Sequence, residues 1–140
     1  MEIRLYMAAD EGEVAALWNE VLPDSAPHNE PRGSIRRKLA FDRDLFFVAV
    51  EGGGVVGTAM GGYDGHRGWL YSVAVSPQCR GRGIGSALVR QVEAALKRRG
   101  CLKINLQVVT ANAGVVDFYE KLGFKVEERI SMGKRLYEQA

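Results

Sequence analysis

The sequence predicts an α/β (α+β) domain: a mostly antiparallel mixed sheet of about six or seven strands flanked by about four helices. Three observations carry this expectation. Between residues 45 and 75, three apolar runs are separated only by short glycine-bearing turns, so the strands they form are antiparallel neighbours. From Ile84 onward apolar residues recur at helical spacing. The remaining segments alternate between the two periods, giving the order strand, helix, helix, three strands, helix, strand, helix and one or two closing strands.

Taken in order, Ile3, Leu5 and Met7 alternate as in a half-buried strand over Glu2 to Met7. Asp10 followed by Glu13 resembles a capping box that opens a helix with Val14, Leu17, Trp18 and Val21 on one side. Pro23, Pro27 and Pro31 keep Pro23 to Gly33 irregular. Ser34 then caps a second helix bearing Ile35, Leu39 and the basic run Arg36-Arg37-Lys38. The meander comprises Leu45 to Glu51, a triple-glycine turn, Val55 to about Tyr63, the turn Asp64-Gly65-His66-Arg67-Gly68, and Trp69 to Val75. Ile84, Leu88, Val92, Ala95 and Leu96 define the buried face of a third helix that Gly100 stops. Leu102 to Val109 reads as a strand and Ala113 to Leu122 as a helix stopped by Gly123. Phe124 to Tyr137 holds the closing strands, with a turn near Met132-Gly133.

Composition bounds the function. A chain of 140 residues suits one domain spanning 1–140, and 46% apolar with 26% charged residues is an ordinary globular balance that needs no disulfide or metal to stand. A net charge of +2 argues for neither nucleic acid nor membrane as partner, while leaving room for a local basic site. Cys79 and Cys101 lack the spacing of a metal knuckle or redox pair. With no apolar run of about eighteen residues and no basic-then-apolar leader, the chain reads as soluble and cytoplasmic.

The most informative stretch is Arg80-Gly81-Arg82-Gly83-Ile84-Gly85-Ser86, between a strand and a helix. Glycines let main chain approach a ligand closely, the opening turn of a helix offers unpaired N–H groups and a positive dipole end, and two arginines add charge-assisted donors. This is a diphosphate cradle. It is not a P-loop, which needs Gly-Lys-Ser/Thr, nor a Rossmann fingerprint, because counting from Gly81 the sixth residue is Ser86. The alternative is a glycine-rich turn that binds nothing, which leaves the two arginines without a purpose.

These residues resemble the GNAT superfamily of N-acetyltransferases. Arg80-x-x-Gly83-x-Gly85 matches its pyrophosphate motif, preceded by Val73-Ala74-Val75-Ser76-Pro77. Asn112 followed by Phe118-Tyr119-Glu120-Lys121-Leu122-Gly123-Phe124 is similar to its second block, with Val115 where alanine is usual. A closer resemblance, to the YpeA subfamily of bacterial acetyltransferases, lies in Val55-Val56-Gly57-Thr58, in Gly61 to Gly68 and in Gly133-Lys134-Arg135-Leu136. The resemblance implies acetyl-CoA as co-substrate, no metal, and two central strands that splay to admit pantetheine. It assigns pantetheine to the main chain of Val73, Ala74 and Val75, and pyrophosphate to Arg80, Gly81, Arg82, Gly83, Ile84, Gly85 and Ser86. Asn112 is assigned to the pantetheine arm or neighbouring cofactor atoms, Tyr119 to the CoA sulfur. Dimers are common among similar proteins.

The implied reaction is direct attack of a primary amine on the acetyl thioester in a ternary complex. It requires a neutral amine, a donor for the oxyanion and a proton for the departing thiolate. Tyr119 is the candidate acid, and the alternative for it is an aromatic packed under the cofactor. No base stands out: Gln107 and Trp69 occupy positions where some relatives carry glutamate, Asp64 and His66 sit in a turn, and water serves equally well. His28 and Asn29 border the acceptor site in this fold, and the acceptor itself, small molecule or peptide, is not spelled out. Arg36-Arg37-Lys38 reads as a solvated face, Trp18 as core and Cys79 as packing. Rival readings are another acyl donor, a non-catalytic acyl-CoA sensor and, more distantly, a Rossmann-type nucleotide domain.

Overall fold

The computed structural model describes residues 1–24 and 26–137. By its internal contacts the chain divides into two units, Met1–Gln107 and Val108–Ala140. The first holds β1 (Glu2–Leu5), α1 (Glu11–Val21), α2 (Pro31–Phe41), β2 (Phe46–Glu51), β3 (Gly54–Tyr63), β4 (Gly68–Val75), α3 (Ile84–Arg98) and β5 (Ile104–Asn105). The strands lie side by side in chain order. The first four are antiparallel and β5 runs parallel to β4.

Alternation along the strands gives the sheet two apolar faces. One buries Phe46, Val48, Met60 and Ala74 against Val14, Leu17 and Trp18 of α1 and Ile35 of α2. Phe46 stacks between Tyr6 and Trp18, with ring centroids 4.5 and 5.8 Å away. Against the other face lies α3, whose Ile84, Leu88, Val89, Val92, Ala95 and Leu96 are all buried. That helix sits close because β3 carries glycine beneath it. A Cβ at Gly57 would stand 2.9 Å from Leu88 Cδ1 and 3.1 Å from the Ala74 carbonyl oxygen.

Several boundaries differ from the sequence reading, each for a local reason. Asp10 and Glu13 form no capping box. The Asp10 carboxylate accepts from the Met7 N–H (2.8 Å) and pairs with both terminal nitrogens of Arg4 (2.8 and 2.9 Å), while Glu13 accepts from the Val55 N–H on β3 (2.5 Å). Helix α2 starts at Pro31, with Glu30 rather than Ser34 as its cap. Its carboxylate accepts from the N–H groups of Arg32 and Gly33, and proline at the first helical position lacks only an N–H the helix would not use. Part of the proline-rich segment is regular, a 3-10 turn over Pro27–Asn29; Ser25 lies outside the described residues. The strand expected over Leu102 to Val109 contracts to Ile104–Asn105.

In the second unit, a 3-10 segment Thr110–Val115 leads into α4 (Val116–Lys121), so the expected helix from Ala113 begins as a tighter turn. It ends as anticipated at Gly123, with the Phe124 N–H returning to the Tyr119 carbonyl (3.1 Å). The closing strands do not form. Residues 124–137 contain no strand, and Val126, Ile130, Met132 and Leu136 are exposed. Alternating apolar residues there meet no neighbouring strand within their own unit, and period-two sequence becomes a strand only where a partner takes its peptide groups. The sheet therefore has five strands among the described residues, not six or seven. The mixed, mostly antiparallel architecture with four α-helices is as expected.

Candidate functional site

The segment from Arg80 to Ser86 leaves β4 through a short 3-10 turn, Pro77–Cys79, and runs into the head of α3. Gly83 is the helix N-cap with φ +81°, and Gly81 has φ +77°. Both lie in the left-handed region, where a side chain costs about 1–2 kcal/mol. The first helical hydrogen bond is Ala87 N–H to the Gly83 carbonyl (3.0 Å), so the N–H groups of Ile84, Gly85 and Ser86 are those the helix does not use. Ile84 is buried and anchors this turn on the sheet. These features make a main-chain cradle for an anion.

The two arginines are already engaged. Arg82 pairs with Glu51 at the end of β2 (2.5 Å), which holds that carboxyl below its usual range. The Arg80 Nε donates weakly to the Val75 carbonyl (3.4 Å). The sequence reading missed Glu51, since a lone acid at a strand end announces nothing until the turn folds back toward Arg82.

Beside the cradle, β4 presents an open edge. Among the described residues it pairs with β5 only at Gly68–Ile104 and Trp69–Asn105, and the strands then part. Along its other edge, Met60 of β3 faces Tyr71 while Thr58 faces Ala74, so β4 holds one extra residue in between. This is a β-bulge. Ser72 adopts φ +49° there, the one non-glycine residue with positive φ among those described. The bulge resets the alternation. Ser76 N–H donates to the Val56 carbonyl on β3 (2.8 Å) and Ala74 is paired with Thr58, so the peptide groups of Val73 and Val75 turn toward the open edge.

A buried chain of donors braces the bulge from the opposite face. Trp18 Nε1 donates to Thr58 Oγ1 (2.8 Å), and Thr58 Oγ1 donates to the Ser72 carbonyl (2.8 Å). Thr58 is fully buried. Trp18, read from sequence as core, is core and a donor as well.

Asn112 and Tyr119 belong to the second unit. Asn112 is exposed, with φ −112° and ψ 30° interrupting the 3-10 segment. Tyr119 lies on α4 between Phe118 and Phe124, edge-on to both at 4.9 and 5.8 Å, and burial pushes its phenol up from the ordinary value. Both readings of Tyr119, packed aromatic and proton donor, fit this setting.

The remaining candidates sort by their partners. Asp64 accepts from the N–H groups of His66 and Arg67 (2.7 and 2.8 Å), bonds that hold its carboxyl low and commit it to the turn. The basic run is not a merely solvated face. Arg36 lies 3.8 Å from Glu11, Arg37 donates to the His28 carbonyl (2.7 Å), and Lys38 Nζ donates to the Gly61 carbonyl at a point that β2 does not reach. Burial lowers the Lys38 pKa, against the opposing pull of the Asp42 carboxylate and with a lesser contribution from Arg99. Asn29 donates to Asp24 (2.8 Å), which ties down the loop before α2.

A mixed sheet open along one strand, with a main-chain anion cradle at the end of that strand, is the arrangement expected of the class of CoA-dependent acyltransferases. The model of the acetyltransferase (GNAT) family matches residues 5–124, and the chain belongs to that family. It is similar to an acetyltransferase of Yersinia enterocolitica, 46% identical over 136 residues that cover 97% of this chain and 96% of the relative. Among solved structures it shares its fold with the aminoglycoside 6'-N-acetyltransferase AAC(6')-Ig of Acinetobacter haemolyticus (TM-score 0.79, 18% identity, 99% of this chain and all of the other). It also shares it with AAC(6')-Iy in complex with a bisubstrate analog (TM-score 0.78, 19% identity, 96% and 97%). The protein is thus an acetyl-CoA-dependent acetyltransferase. No described helix is long and apolar enough to cross a membrane.

Proposed function

We propose that the 140-residue chain acts as one cytoplasmic acetyltransferase domain that transfers acetyl from acetyl-CoA to a primary amine by direct attack in a ternary complex. The observation that carries this reading is the continuity of two features: the outward-turned peptides of Val73 and Val75 lead along β4 into the N–H cradle at the head of α3. Pantetheine adds to β4 as an extra strand, its amides meeting the main chain of Val73, Ala74 and Val75. The pyrophosphate takes the N–H groups from Gly81 to Ser86, with Arg80 and Arg82 as charged donors. Asn112 contacts the pantetheine arm.

Tyr119 supplies the proton to the departing thiolate. Its raised pKa keeps the phenol protonated at physiological pH, as an acid requires. Water takes the proton from the acceptor's ammonium, and the neutral amine then attacks; Asp64 is committed to its turn. The test is calorimetry with CoA and acetyl-CoA, followed by CoA-thiol release across a panel of amines, peptides and polyamines. Measurable affinity with turnover on at least one acceptor supports the proposal. A folded chain that binds CoA in no acylation state removes it.

A further inference from the structure

We propose that Thr58 is a positioning residue for acetyl transfer: its buried hydroxyl holds the Ser72 carbonyl so that the Val73 N–H points from the open edge of β4 at the thioester carbonyl oxygen. The inference rests on the reading of β4 as the cofactor strand given above and assigns a role to a residue that touches no substrate.

The direction of the hydrogen bonds is forced. An indole N–H only donates, so the bond from Trp18 Nε1 occupies Thr58 Oγ1 as an acceptor, and the single hydroxyl proton is left for the Ser72 carbonyl (2.8 Å). Ser72 needs such a restraint, because φ +49° is disfavoured for a residue with a Cβ. Relaxation of Ser72 toward ordinary strand dihedrals removes the extra residue from the register, and the peptide of Val73 rotates toward β3. Valine has nearly the shape of threonine but lacks the hydroxyl, so it takes this partner from both the Trp18 indole N–H and the Ser72 carbonyl. A preorganised main-chain donor aimed at developing negative charge is what an acyl-transfer oxyanion requires.

The assigned hydrogen bond gives acetyl-CoA an advantage over CoA that resides in the acetyl carbonyl. The experiment compares Kd for the two ligands by calorimetry in the full chain, with thermal unfolding as a control. The wild type is expected to favour acetyl-CoA by roughly two- to tenfold, the worth of one such bond. In Thr58→Val the advantage disappears while CoA affinity stays within about twofold, and Thr58→Ser, which keeps the hydroxyl, restores it. If Thr58→Val does not fold, Trp18→Phe supplies the test. It keeps the ring against Phe46 and releases the hydroxyl proton from its fixed direction, and the advantage should fall at least about twofold. A folded Thr58→Val or Trp18→Phe with the wild-type advantage overturns the proposal, as does a wild type that binds both ligands equally. A wild type that binds neither ligand fails the cofactor reading instead.

Discussion

Arg82 and Glu51 face each other at 2.5 Å, joining the phosphate segment to the end of β2 across 31 residues of chain. The guanidinium expected to meet a pyrophosphate is therefore held by a carboxylate in the free protein. On the proposed reading a diphosphate would compete with Glu51 for it, and both groups are partly exposed.

Glu51→Gln should consequently tighten CoA binding by roughly two- to fivefold at low salt, the range of an exposed ion pair, with the gain shrinking as salt rises. Arg82→Ala should weaken it in the same titration. Calorimetry at two ionic strengths checks both. Equal affinity in Glu51→Gln and wild type would mean that Arg82 does not reach the ligand.

Gly83→Ala places a Cβ on a residue at φ +81°, with open space around it but a disfavoured backbone. The expected cost is about 1–2 kcal/mol, shared between stability and CoA affinity according to how far the N-cap relaxes. A urea titration with and without CoA separates the two.

For Tyr119→Phe, the ring contacts with Phe118 and Phe124 remain, so α4 should stay folded. The rate should fall roughly a hundredfold, the lower end of the range for general acid catalysis. Because burial raises the phenol pKa, the wild-type rate is lost only above the ordinary tyrosine range near pH ~10, and the variant should lack that alkaline limb. A pH–rate profile with any working amine decides. An unchanged profile would leave Tyr119 as packing alone.

Asp10 gives a prediction about acid. Its carboxyl is held low, chiefly by its hydrogen bond to Arg4 with help from the Met7 N–H, against the opposing effect of burial. A depressed folded-state pKa contributes stability that is present above the unfolded value near ~3.9 and is lost as pH falls through the folded value. Asp10→Asn should therefore lower stability at pH 7 by about 2–3 kcal/mol, since it leaves part-buried Arg4 without its counter-charge. The gap to wild type should close below about pH 4 in chemical denaturation.

Much of this protein was readable without coordinates. The head of α3 at Gly81 to Ser86 was legible because glycine spacing, flanking arginines and a helical period converge within a few residues, and local physics alone makes such a segment a helix head with unused N–H groups. The three meander strands and the buried face of α3 followed from periodicity in the same way. Caps were less legible. Asp10 and Glu30 were each able to serve more than one partner, and Arg4, six residues earlier on β1, won Asp10.

What the sequence by itself determined, then, was the family, the sheet's middle and the anion cradle, all properties of short stretches. Tertiary structure alone decided the bulge at Ser72, the donor chain from Trp18 through Thr58, the hold of Glu51 on Arg82, and the failure of residues 124–137 to become strand. Each depends on which atoms arrive opposite one another after dozens of intervening residues have folded. A hydrogen bond is settled by separation and angle in space, and linear spacing carries neither.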